Sequence, residues 1–119
     1  MVRRVAQVVR LKPEAYAEYK RMHASVWPEV LATIEKANIR NYSIYHWDGL
    51  LFAYFEYVGE DFARDMASIA EDANTRAWWQ ITDPMQEPVE GDSTGSVEGG
   101  WWTPMEEVMR GLDDLVRQG

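Results

Sequence analysis

Residues 39–58, Ile39-Arg40-Asn41-Tyr42-Ser43-Ile44-Tyr45-His46-Trp47-Asp48-Gly49-Leu50-Leu51-Phe52-Ala53-Tyr54-Phe55-Glu56-Tyr57-Val58, decide how the rest of the chain can fold. Two runs rich in aromatic and β-branched side chains flank Asp48-Gly49, a dipeptide at ease with positive φ and therefore suited to a two-residue hairpin turn. The stretch predicts two antiparallel strands, Ile39 to Trp47 and Leu50 to Val58. Alternation sets Tyr42, Ile44 and His46 on one face of the first strand and Asn41, Ser43, Tyr45 and Trp47 on the other. Neither set is wholly polar, so both faces of the sheet are expected to be covered. Glu56 interrupts an aromatic run and is expected to point into a site or a subunit seam.

Upstream, Val2 to Leu11 alternates in part, with Val5, Gln7, Val9 and Leu11 on one face and Arg4, Ala6, Val8 and Arg10 on the other, and predicts a further strand. Lys12-Pro13-Glu14 starts a helix, with proline in the first turn and an acid at the positive end of the dipole. Its predicted buried stripe is Ala15, Tyr19, Met22, His23 and Val26, continuing through Val30, Leu31 and Ile34 to about Ala37. Pro28 lacks the N–H that the carbonyl of Ala24 needs, and its ring displaces that carbonyl, so a kink is expected just after His23.

Downstream, Gly59-Glu60-Asp61 opens a second helix carrying Phe62, Ala63, Met66, Ala67 and Ala70 and ending near Asp72. Asn74-Thr75 reads as the cap of a further helix, Arg76 to about Thr82, stopped by Asp83-Pro84. Gln86 to Gly100 reads as an irregular acidic loop pinned by Trp101-Trp102-Thr103-Pro104. Met105 to about Leu112 is assigned as the last strand, although Met105 to Met109 equally suits a helix by propensity. Asp113 to Gly119 reads as a loose or helical tail. The order is βαββαβ, an α+β ferredoxin-like sandwich in which residues 1–119 form one domain and helices cover one face of a four-stranded antiparallel sheet. The aromatic residues of the other face then call for a second copy of the chain, and a homodimer is expected.

Twenty acidic against twelve basic residues leave a net charge of −8, which disfavours nucleic acid and anionic membranes as partners. The absence of cysteine excludes a thiolate nucleophile, a disulfide and a thiolate metal site, and suits the cytoplasm. No apolar run approaches the roughly 20 residues that span a bilayer, and Met1 to Leu11, with three arginines, reads as a strand and not a signal. Two histidines without HxH or HExxH spacing point to no metal site, and no DxDxDG loop, phosphate-cradling glycine loop or GxSxG elbow points to a cofactor.

Tyr19 and His23 are four residues apart, about 40° around a helix, so a phenol and an imidazole share one stripe. A helix histidine often does no more than donate to a neighbour, and tyrosines and tryptophans mostly pack. Together these groups have a joint chemistry, because aromatic faces pack against the C–H side of a sugar while phenol and imidazole hydrogen-bond its hydroxyls. Trp78 and Trp79 point about 100° apart, which turns one ring inward and the other toward a rim. His46, at the hairpin, is expected to be exposed.

Tyr19 with His23, Trp27-Pro28-Glu29, Asn41-Tyr42-Ser43-Ile44-Tyr45, Leu51-Phe52-Ala53, Trp78-Trp79, and Thr82-Asp83 with Met85 resemble, in that order, the L-rhamnose mutarotase family over about Val2 to Val108. The resemblance implies a small ferredoxin-like protein pairing into a dimeric α/β barrel that interconverts the α and β anomers of a 6-deoxyhexose without metal or organic cofactor. By position it implies His23 as the proton donor and Tyr19, Tyr42, Trp78 and Trp79 as sugar contacts. The tight hairpin at Trp47-Asp48-Gly49 and the polar tail after Val108 depart from the rhamnose-specific pattern, and Trp101-Trp102-Thr103-Pro104 resembles a branch acting on L-fucose or a related hexose. Anomer exchange requires a proton delivered to the ring oxygen and another removed from the anomeric hydroxyl. His23 is expected to supply the first, with a hydroxyl, carboxylate or water taking the second. Two other readings fit the same architecture: an oxygenase-like or dechlorinase-like dimeric α/β barrel acting on a small aromatic, and a non-catalytic dimer that binds a small ligand.

Overall fold

The computed structural model describes residues 2–111. Strand β1 (Arg3–Leu11) is followed by a 3₁₀ turn (Pro13–Ala15), helices α1 (Tyr16–His23) and α2 (Pro28–Lys36), strands β2 (Ile39–Trp47) and β3 (Leu50–Tyr57), helices α3 (Phe62–Glu71) and α4 (Ala73–Thr82), and the short strands β4 (Gln86–Glu87) and β5 (Thr103–Pro104). The sheet runs β2-β3-β1-β4, with every neighbouring pair antiparallel. This is the ferredoxin-like order that the α+β reading predicts. The Asp48-Gly49 turn has positive φ at both residues, 50° and 76°, which gives the turn the twist that two paired strands need.

The hairpin contains a device that alternation alone does not reveal. Ile39 pairs with Tyr57 and Arg40 with Glu56, but the next registered pair is Ser43 with Tyr54, so Asn41 and Tyr42 together face one residue of β3. Asn41 adopts φ 52° to make this bulge. The extra residue shifts the parity of the strand, so that Ile39 and Tyr42 share a face despite being three residues apart. Tyr42 lies flat against Phe55, with centroids 5.6 Å apart and planes within 3°. Without the bulge Tyr42 would point to the opposite side of the sheet.

Helices cover the face carrying Val9, Leu11, Leu51, Ala53, Phe55 and Tyr57, all buried. A central cluster of Val9, Leu11, Tyr19, Leu51 and Trp101 gathers Ala15, Ile44, Met85 and Trp102 around it. Asp61 caps α3 by accepting from the Arg64 backbone N–H at 3.1 Å.

Three expectations are corrected. The kink at Pro28 is a full break: α1 stops at His23 and α2 begins at Pro28, with four non-helical residues between. The cap of α4 is Asp72, not Asn74 or Thr75. Its carboxylate accepts from both the backbone N–H and the hydroxyl of Thr75, each at 2.9 Å, so the helix starts earlier than the sequence suggests. The last strand is not Met105 to Leu112. Its place beside β1 is taken by Gln86–Glu87, at the start of the stretch whose composition predicts a loop, and by Thr103–Pro104. Pro88 has no N–H to extend β4, and the β5 pairing ends one residue after Pro104 with the Met105 N–H on the Ala6 carbonyl at 2.8 Å. Beyond it, residues 106–111 form no regular element and Val108 is 87 % exposed. Leu112 and the tail assigned to 113–119 lie outside the described residues. Among the described residues no helix is long and apolar enough to cross a membrane.

Leu51 sits at the centre of the buried cluster, so Leu51→Ala is expected to lower unfolding stability in urea by about 3 kcal/mol. A loss below about 1 kcal/mol would show that the core can collapse around the missing side chain.

Candidate active site

The break before Pro28 places His23 on the last turn of α1, where its side chain reaches back along the helix. Its Nδ1 lies 2.8 Å from the carbonyl oxygen of Tyr19. A carbonyl only accepts, so Nδ1 carries the hydrogen and donates, and in the neutral ring Nε2 is left with a bare lone pair. The imidazole also stacks on the Tyr19 phenol, with centroids 3.9 Å apart and planes 21° apart. Trp78 meets its edge at 5.2 Å and 69°, and Trp27 meets Trp78 at 5.0 Å and 76°. One backbone bond and a chain of rings therefore fix the orientation of His23.

Tyr19 and His23 stand on the wall of a cavity of about 400 Å³ between α1 and the sheet. Leu11, Ile44 and Leu51 form its apolar floor, and Tyr16, Lys20 and His46 contribute polar groups. A largely apolar hollow with a few fixed polar atoms is the usual form of a small-ligand site. His46 is exposed, as expected, and also takes part in the cavity wall beside Tyr16, with ring centroids 4.8 Å apart. No cluster of three metal-binding side chains occurs among the described residues.

The remaining candidates are placed unevenly. Tyr42 follows the same sheet face as Ile44 and lies close enough to Tyr19 to raise the pKa of its phenol, but it is not among the residues lining the cavity. Trp78, 6 % exposed, stands behind the imidazole and lines a second hollow with Met22, Trp27 and Ile81. Trp79 is half-buried, so the paired indoles do split into one inward and one rim residue. Among the described residues, Trp79 joins none of the ring contacts that link Tyr19, His23, Trp27 and Trp78. Glu56 is buried but faces away from the cavity, accepting from Asn41 at 3.0 Å and Tyr54 at 2.8 Å.

The sequence gives no direct sign of one residue that supports the site. Gln86 is buried on β4 and donates from Nε2 to the Tyr19 hydroxyl at 3.2 Å, while its Oε1 accepts from the Trp101 indole at 2.9 Å. Gln86 is 67 residues from Tyr19 in sequence, and no local spacing links them. The only hint was the tryptophan pair at 101–102, which did suggest that the loop is pinned.

Burial sets the ionisation of the site. It holds His23 below the ordinary histidine value, outweighing the Tyr19 carbonyl that favours the charged ring. Burial, reinforced by Tyr42, raises Tyr19 far above the usual phenol value. Tyr42 keeps 39 % of its surface exposed, yet burial around its hydroxyl pushes its pKa up to about 12. At neutral pH Tyr19 and Tyr42 therefore keep their protons and the His23 imidazole is uncharged.

An antiparallel sheet covered by helices on one side, with a cavity between α1 and the sheet walled by phenols and a neutral imidazole, defines a small ferredoxin-like α+β protein. The chain belongs to the L-rhamnose mutarotase family, whose model matches residues 4–110. It is 35 % identical over 92 residues to the L-rhamnose mutarotase of Lactiplantibacillus plantarum, a match covering 76 % of this chain and 86 % of that protein. A 37 % match over 78 residues to the protein of the same name from Tolumonas auensis covers 64 % and 72 %. The crystal structure of L-rhamnose mutarotase from Formosa agariphila superposes with a TM-score of 0.71 at 23 % identity, covering 92 % of this chain and 99 % of that one, and shares the fold.

A depressed histidine pKa has a definite sign in linkage. The unfolded chain binds the proton more tightly, so the contribution of His23 to stability is complete above its unfolded value of 6.5 and is lost as pH falls through the folded value. NMR titration of the His23 ring should give a midpoint below 6.5 with the neutral form protonated at Nδ1. A midpoint above that value would contradict the electrostatic description.

Proposed function

We propose that this protein is a cofactor-independent mutarotase that interconverts the α and β anomers of a 6-deoxyhexose, with L-rhamnose as its substrate. The observation that carries the reading is the His23 ring, neutral, held through Nδ1 and stacked on a cavity-wall phenol. Its free Nε2 is the atom able to exchange a proton with a sugar. The names of the curated relatives support L-rhamnose over other hexoses.

The tautomer refines the expected role of His23. A neutral imidazole whose hydrogen is committed to the Tyr19 carbonyl has no proton at Nε2 to give away, so it must first collect one. In the proposed cycle Nε2 removes the anomeric hydroxyl proton while the bond from C1 to the ring oxygen breaks, leaving an aldehyde. The imidazolium then returns that proton to the former ring oxygen, now a hydroxyl at C5. The two oxygens were carried by the same carbon, so one ring can serve both. Rotation about C1–C2 presents the other carbonyl face, and the same steps in reverse close the second anomer. Proton balance needs no further group, though water could share the transfer. Tyr19 and Tyr42, neutral at the working pH, orient sugar hydroxyls. In this proposal Trp78 supports the imidazole from behind, and Trp79 contributes from the rim to the apolar side of the sugar.

A homodimer is part of the proposal. The sheet face away from the helices carries Tyr45 and Trp47, 64 % and 69 % exposed, and a second copy would cover them. A cytoplasmic location, read from the cysteine-free sequence, is proposed with it.

Saturation-transfer NMR on L-rhamnose, with L-fucose as comparator, tests the function. The protein should speed exchange between the L-rhamnose anomers, and His23→Ala should slow the catalysed exchange by about 10² to 10⁴-fold. The rate should hold near pH 7 and fall on the acid side as Nε2 is protonated below 6.5. Sugar-dependent thermal stabilisation without faster exchange would instead identify a binding protein.

A further inference from the structure

Resting on the mutarotase reading, we propose that Gln86, held by Trp101, is a positioning residue that fixes the Tyr19 hydroxyl as a hydrogen-bond donor to the bound sugar. The direction of the network follows from chemistry. An indole N–H can only donate, so the oxygen of the Gln86 amide must face Trp101 and its NH₂ group must face Tyr19. The phenol oxygen thus accepts at 3.2 Å, and its own proton must turn elsewhere. Among the described residues no protein group accepts from that hydroxyl, whereas the cavity opens beside Tyr19. A free phenol hydroxyl rotates and both gives and takes hydrogen bonds. This one is committed before the sugar arrives, which removes the ordering cost from the binding step.

The arrangement is built into the fold. Gln86 pairs with Leu11 at the edge of β1, and Pro84 and Pro88 bracket its short strand. Trp101 belongs to the central core cluster, and both Gln86 and Trp101 are buried. Neither side chain lines the cavity of about 400 Å³, so each acts on the sugar only through Tyr19.

Gln86→Glu reverses the polarity with almost no change in shape. A carboxylate accepts from Trp101 through one oxygen and from Tyr19 through the other, drawing the phenol proton away from the cavity. Kinetics of L-rhamnose anomer exchange should then show KM raised by about tenfold, the worth of one well-placed hydrogen bond, with kcat changed much less. In a Tyr19→Phe background the same substitution should change KM by less than about twofold, because the group it acts through is gone. The Trp101 indole proton resonance should keep its hydrogen-bonded position in Gln86→Glu, which reports an intact network.

Equal effects of Gln86→Glu with and without the Tyr19 hydroxyl would assign Gln86 a purely structural role and overturn the proposal, as would an unchanged KM. If Gln86→Glu does not fold, Trp101→Phe takes its place, since it frees the amide to flip and should raise KM only where Tyr19 is present. If the wild-type protein does not speed exchange, the functional reading fails. The same double-mutant cycle run on the Kd for L-rhamnose, by calorimetry, then decides the Gln86 proposal separately.

Discussion

The hydrogen bond from His23 Nδ1 to the carbonyl of Tyr19 is the constraint on which the site depends, and it forms on the last turn of α1, ahead of the break before Pro28. A continuing helix would carry another turn of side chains past His23. With the chain broken over residues 24–27, the imidazole has an open side, and its other nitrogen is tied to backbone. The last turn of a helix favours a positive imidazole, an effect typically worth about 0.3–1 kcal/mol at the surface. Burial opposes it and prevails, so the ring is neutral despite standing at the negative end of the dipole. A neutral ring is more useful for a reaction in which one group must both remove and return a proton.

Much of this was legible in the chain. Asp48-Gly49 set the hairpin, Pro28 marked where the helix is interrupted though not that it breaks fully, and the spacing of Tyr19 and His23 set them on one helix stripe, since each rests on covalent or local backbone rules that tertiary packing rarely overrides. The face assigned to Tyr42 was also right, though for an incomplete reason. Counting back from Ile44 gives the correct side, but counting forward from Ile39 gives the wrong one. Only the bulge at Asn41 reconciles them.

The rest depends on distant partners. Gln86–Glu87 is too short to leave a periodic signal, and its strand character comes from the β1 edge it meets. Met105 to Met109 has the composition of an element, but most of it has no sheet edge left to join, because Thr103–Pro104 lies on β1 before it. The amide of Gln86 matters because Tyr19, 67 positions away, and Trp101, 15 positions away, both meet it in space. Trp79 illustrates the same limit, since helical geometry gave its direction but not the neighbours it meets.

Two dipeptide strands side by side along β1 have a consequence for the behaviour of the protein in a crowded solution. An unpaired strand edge is a template on which another chain can add, the first step toward fibrous aggregation. Here β4 occupies the end of β1 and β5 its middle, so that margin offers no long run of unused peptide groups. The opposite margin, β2, is interrupted by the bulge at Asn41, whose local twist spoils the flat ladder that an intruding strand would need. The sheet thereby discourages cross-β growth from both sides.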